Sequence, residues 1–157
     1  MTRAPRYPLT VFYDASCPMC AGEMCALKEL DRDGRLALVD CSAPDFDDSV
    51  LAGTGISRAA LMTRIHARDS GGRWLSGIDV FEAAYGAAGL LTAGRLWGSR
   101  RLRPVFDAVY PFIARHRQLL SWLGINALIR FLMARLGAAS LPTGSCRRAQ
   151  SVNRPAV

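Results

Sequence analysis

The stretch LTVFYDASCPMC, residues 9–20, decides how this chain is read. Leu9, Thr10, Val11, Phe12 and Tyr13 follow Pro8 as a short apolar run rich in β-forming types, which reads as a buried strand. Asp14, Ala15 and Ser16 then break the run with turn-forming residues. Over residues 18–31, Met19, Ala21, Met24, Leu27 and Leu30 recur at roughly helical spacing. Ser16 or Cys17 stands where an N-cap belongs, and Pro18 suits the first helical position. The pair Cys17 and Cys20 therefore falls on a strand-to-helix turn.

That placement matters chemically. The first N–H groups of a helix have no partner within it, and the helix dipole is positive there, so an anion is stabilised. A thiolate is such an anion, and cysteines so placed titrate at about 3.5–7.5 instead of about 8.5. Cys17, nearest the helix end, is the expected nucleophile. Cys20 lies one turn along on the same side and is expected to close a disulfide with it. In the resulting cycle Cys17 attacks a substrate disulfide, and Cys20 resolves the mixed disulfide. Asp14 either takes the proton from Cys20 or only hydrogen-bonds the turn.

Outward from this core, residues 36–39 (LALV) read as a second strand after a helix stop at Gly34. Residues 41–55, rich in Asp, Ser, Pro and Gly, read as a loop, and residues 57–63 as a short helix capped by Ser57. Residues 64–68 (RIHAR) and 73–76 (RWLS) read as strands joined at Asp69-Ser70-Gly71-Gly72, a hairpin signal. Residues 78–88 read as a helix with Ile78, Phe81, Ala84 and Tyr85 on one face. A strand–helix–strand unit implies a parallel pair with a right-handed crossover. The fold class expected is α/β: a thioredoxin-like sheet built from βαβ, a β-hairpin and a helix. Residues 8–90 form the expected redox domain.

After Gly89 the character changes. Residues 90–103 are a connector rich in Gly and Arg, and residues 105–123 and 125–136 read as two amphipathic helices broken near Gly124. Pro111 is expected to kink the first of these or delay its start. Phe112, Leu119, Leu120, Trp122 and Leu123 form the stripe expected to pack this helical extension, residues 91–139, onto the domain. Residues 140–157 are small, polar and basic, and are expected to be a disordered tail.

Composition bounds the function. The chain has 157 residues, half of them hydrophobic, enough for one domain with a sizeable core. The net charge is +7, with Lys28 the sole lysine, and the arginines are spread out late in the chain. This reads as a solvated basic face, with no nucleic-acid partner. Contact with a membrane surface through the Arg-bearing helices is the lesser alternative. No uncharged apolar run reaches about 18 residues, and the N-terminal residues lack a secretory apolar core, so a cytoplasmic location is expected. In a reducing compartment the five cysteines call for an explanation other than a structural disulfide framework.

The competing reading of the CxxC is a zinc or iron–sulfur site completed by Cys25 or Cys41. The intervals from Cys20 to Cys25 and from Cys25 to Cys41 do not match a compact zinc knuckle, so neither a metal nor a cofactor is expected. Cys25 reads as a buried core cysteine, Cys41 as a packing or loop residue, and Cys146 as incidental. His66 reads as a partly buried structural histidine, and His116 as lying on a solvated helix face. Trp74, Phe81 and Tyr85 read as core. A further alternative is a partner-binding or membrane-binding protein with a vestigial CxxC.

Asp14, Cys17 and Cys20, in DxxCxxC spacing, resemble the signature of the DCC family of thiol-disulfide oxidoreductases. Residues 40–46, 61–77 (LMTRIHARDSGGRWLSG) and 80–85 (VFEAAY) are similar to that family's middle. Leu102-Arg103-Pro104, Tyr110 and Arg115-His116-Arg117 are similar to its C-terminal part, so the likeness spans about residues 8–120. The resemblance implies a thioredoxin-like fold, a redox role for Cys17 and Cys20, and a disulfide-containing protein or small thiol compound as substrate. Thioredoxins place a cis-proline before their third strand, opposite the CxxC. Met62 and Thr63 stand in that region here.

Overall fold

The structure is a computed structural model that describes residues 4–90 and 101–122, with Gly94 and Ser99 between them. In chain order the elements are β1 (Leu9–Tyr13), α1 (Pro18–Leu30), β2 (Leu36–Asp40), a 3-10 turn (Asp48–Leu51) and α2 (Arg58–Thr63). They continue with β3 (His66–Asp69), β4 (Trp74–Ser76), α3 (Ile78–Ala87) and α4 (Arg103–Trp122). One four-stranded sheet has the order β2-β1-β3-β4. β1 runs parallel to β2 and antiparallel to β3, and β3 pairs antiparallel with β4. This is the thioredoxin-like arrangement. The helix expected at residues 125–136 and the tail at residues 140–157 lie outside the described residues.

The apolar run of β1 reflects burial on both sheet faces. Leu9, Val11 and Tyr13 join Met24 and Leu27 of α1 and Val80, Ala83, Ala84 and Ala87 of α3 in one cluster. Phe12 points the other way, into a cluster with Cys41, Phe46, Leu51 and Leu61. Trp74 lies tilted against Phe12, with ring centroids 5.0 Å apart. Leu9, Met24 and Leu27 are each at most 1 % exposed, and burying such a side chain contributes about 1.5–3 kcal/mol. Phe81 and Tyr85 are partly buried and pack against the first cluster from α3.

Local chemistry sets the element ends. Cys17 is the N-cap of α1 and Pro18 opens the helix. The Ser57 side chain caps α2 by accepting the Ala60 N–H. The strand expected from Arg64 begins two residues later, because the Arg64 N–H still bonds the Ala60 carbonyl as the chain leaves α2. Within the stretch expected to be loop, Asp47 accepts the Ser49 N–H and starts a 3-10 turn that buries Leu51. Buried Asp69 shapes the hairpin: its Oδ1 accepts the N–H groups of Gly71 and Arg73, each at 3.0 Å.

α4 corrects two expectations. Pro111 lies inside one continuous helix that already begins at Arg103. Phe112 does not pack onto the domain: it is 60 % exposed, and Val105 and Val109 are exposed as well. Tyr110 makes the contact instead, with its ring edge-on to Phe81 at a centroid distance of 6.0 Å. It also closes on Gly77, where a Cβ would meet the Tyr110 ring at 3.5 Å. Gly77 has φ +61° and ψ −127°, a conformation that side chains disfavour, so the backbone calls for glycine there.

Candidate active site

The two parallel strands end side by side, and the CxxC turn leaves from that end of the sheet. The Cys41 N–H donates to the Tyr13 carbonyl at 2.8 Å, just beyond the last β1–β2 pair. Two carboxylates then hold the turn. Asp14, 2 % exposed, accepts the Ser16 N–H at 3.0 Å and also the Ser16 hydroxyl. Asp40, from the end of β2, accepts the Ala15 N–H at 3.1 Å. The same Asp40 oxygen takes the Ser42 N–H and hydroxyl, and the Ser42 Oγ accepts the Ser16 N–H at 3.2 Å. The Cys17 N–H bonds back to the Asp14 carbonyl.

Cys17 thus enters α1 with extended backbone, φ −91° and ψ 111°, and its carbonyl accepts the first helical hydrogen bond from Ala21 at 2.9 Å. Cys17 and Cys20 are both in the thiol form. Cys17 is fully buried, while Cys20 is partly exposed. Exposure therefore favours Cys20 as the sulfur that meets a reagent, whereas the helix end favours Cys17 as the thiolate.

The other cysteines stand apart in character. Cys41 is fully buried, and burial, followed by the charge of Asp40, pushes its thiol up to about 12. It is a neutral packing residue in the Phe12 cluster at neutral pH. Cys25, 3 % exposed on α1, is disulfide-bonded, which departs from the expectation that no cysteine serves in a structural disulfide. Among the described residues no three His, Cys, Asp or Glu side chains converge on a position that could hold a metal ion. The fold does not gather Cys25 and Cys41 with the CxxC into such a set. Nor does any described helix have the length and apolarity to cross a membrane.

Opposite the turn, the register Phe12↔His66 brings the residues just before β3 to the same sheet end. The backbone there is committed to internal partners. The Ile65 N–H donates to the Tyr110 hydroxyl at 3.2 Å, and the Ile65 carbonyl accepts the Gly77 N–H at 3.0 Å. His66 Nδ1 contacts the Arg64 carbonyl at 2.7 Å. Burial lowers the His66 pKa, which keeps the ring neutral, with Nδ1 carrying the proton for that contact. His116 stays on the exposed helix, its ring against Phe112.

Residues 11–123 match the family of DCC1-like thiol-disulfide oxidoreductases. The chain belongs to that family. The match spans the CxxC turn, the sheet and α4. An uncharacterized chloroplastic protein of Arabidopsis thaliana is 28 % identical over 115 residues, 71 % of this chain. The chain spans about half of that relative, 51 % of its length. No solved structure matches.

Asp40, Ser42 and Tyr110 were not singled out as site residues by the sequence. For Asp40 a local signal existed: an Asp ending a strand, with Ser two residues on, is the pattern of a side chain turning back onto backbone N–H groups. Tyr110 had no such signal, because its role depends on where α4 lands.

Proposed function

We propose that this DCC1-like protein is a thiol-disulfide oxidoreductase that works through a Cys17–Cys20 dithiol/disulfide pair. The observation that carries the reading is the position of the pair on the β1–α1 turn, with Cys17 as the N-cap. Cys17 thiolate attacks one sulfur of a substrate disulfide. A Cys17–substrate mixed disulfide forms and the other substrate sulfur leaves as thiolate. Cys20 then loses its proton, attacks the Cys17 sulfur and expels the second substrate thiolate. The substrate gains two electrons, and the protein is left with a Cys17–Cys20 disulfide for an external thiol to reduce. Asp14, which accepts the Ser16 N–H and so shapes the turn, is the carboxylate assigned here to take the Cys20 proton.

Cys17 is the attacking sulfur because the helix end stabilises its anion. Its burial requires a local opening of the protein for attack. The substrate is the disulfide of a protein or of a small thiol compound, and the setting is a reducing compartment, the cytoplasm.

Trapping tests the roles. A Cys20→Ser variant exposed to a disulfide substrate is expected to accumulate a mixed disulfide on Cys17, and a Cys17→Ser variant to accumulate none. Trapping only on Cys20 reverses the roles. Trapping on neither sulfur removes the redox reading.

A further inference from the structure

α4 leaves one apolar side in the open. Val105, Val109, Phe112 and Ile113 are all exposed. Their spacing, i, i+4, i+7 and i+8, places them on one side of the helix. Tyr110 holds the helix to the domain from another side. In the sequence the spacing goes on to Leu119 and Leu120, which repeat Phe112 and Ile113 one heptad later. Of the five large hydrophobic side chains exposed among the described residues, four belong to this stripe, so the exposure is a patch and not a scatter of single residues.

Charge is divided unevenly along the chain. Residues 1–107 hold 13 basic and 13 acidic residues, whereas residues 108–157 hold seven arginines and no acidic residue. The whole net charge of +7 thus belongs to the part of the chain that begins within α4. Arg115 is exposed three residues past Phe112, and Arg101 is exposed just before the helix. Asp107 is the one acidic residue of α4. It stands two residues from both Val105 and Val109, hence on the opposite side of the helix, and its carboxylate pairs with Arg103 at 3.2 Å.

We propose that α4 docks this protein on an anionic lipid surface, with Val105, Val109 and Phe112 entering the boundary of the bilayer and Arg115 meeting the headgroups. An apolar stripe beside basic residues suits a helix lying in such a surface. The charge disfavours other covers. A second α4, or this chain's own residues 123–157, would set arginine against arginine. Nucleic acid would match the charge but leave the stripe in water. Docking involves no covalent step, and it goes beyond the redox reading without depending on it.

Sedimentation of the full-length protein with lipid vesicles tests this. Binding is expected to vesicles of phosphatidylcholine and phosphatidylglycerol in equal parts, with little to phosphatidylcholine alone, and it should weaken steeply as salt rises. Phe112→Asp is expected to weaken binding about tenfold or more. Because Phe112 is exposed, the same substitution should leave the denaturation midpoint unchanged. Arg115→Ala is expected to weaken binding about three- to tenfold. Cys17→Ser is expected to bind as the wild type does, so failure of the redox reading would leave this result in place. Equal binding to both kinds of vesicle, binding to neither, or binding that Phe112→Asp leaves unchanged overturns the proposal. So does a lipid-free dimer that Phe112→Asp dissociates, which would assign the stripe to a second copy. Retention of duplex DNA at salt concentrations that release the anionic vesicles would assign the charge to nucleic acid and overturn it as well.

Discussion

Asp40 and Ala15 stand 25 residues apart in sequence, yet the Asp40 carboxylate accepts the Ala15 N–H at 3.1 Å. Because Asp40 ends β2 and Ala15 follows β1, this bond ties the CxxC turn to the neighbouring strand. Ser42 doubles the tie through its own contacts with Asp40 and Ser16. Asp40→Ala is expected to cost about 1–3 kcal/mol of stability by stranding those N–H groups. It should also let the turn open more often, so that iodoacetamide modifies Cys17 faster at neutral pH. Denaturant midpoints and peptide-resolved alkylation rates read the two effects. An unchanged Cys17 rate would show that Asp40 does not restrain the turn.

His66 makes stability depend on pH. Its folded pKa lies below the ordinary value of 6.5, chiefly because burial disfavours the charged ring. The unfolded chain therefore binds the proton more readily. The contribution is fully present above about pH 6.5 and is lost as pH falls through the folded pKa. Denaturation midpoints are expected to drop between pH 7 and pH 5. His66→Gln should flatten that drop, and an equal drop in the variant would assign it to other groups.

Cys41 is expected to be inert. Its thiol, buried and pushed up to about 12, should resist alkylation at pH 8 while the protein is folded and react once it is unfolded. Cys41→Ala is expected to leave the redox midpoint of the Cys17–Cys20 pair unchanged. A shifted midpoint would bring Cys41 into the site.

Tyr85 joins α3 to α1 by donating its hydroxyl to Glu23. Burial, and next the Glu23 charge, raise the Tyr85 pKa, so the phenol remains a donor across the working range. Tyr85→Phe removes the donor and leaves the partner carboxylate without it. The expected cost is about 1.5–3 kcal/mol, the range for hydrogen bonds to charged groups. Thermal or urea unfolding checks this, and no loss would mean that solvent replaces the bond.

The sheet and the CxxC turn were legible because they rest on local patterns. Leu9–Tyr13 is apolar on both faces, Pro18 marks the helix start, and Asp69-Ser70-Gly71-Gly72 marks the hairpin. The α4 contact was not legible. Phe112 and Tyr110 are both aromatic and lie two residues apart, and helical periodicity alone does not say which of them meets the core. The tertiary landing of α4 decides it, by setting the Tyr110 ring against Phe81 and its hydroxyl on the Ile65 N–H. The exposure of the two cysteines was also hidden from the sequence. The dipole argument places charge at Cys17, but its full burial comes from tertiary packing that the local pattern does not encode.

The most direct test of the redox pair is a titration of the purified protein against glutathione buffers, with Cys17 and Cys20 read by alkylation and peptide mass spectrometry. A single reversible two-electron transition that links these two residues, lost in Cys17→Ser and in Cys20→Ser, is the result expected. Thiols that stay unchanged across the whole range of buffer potentials would contradict the assignment of Cys17 and Cys20 as a redox couple.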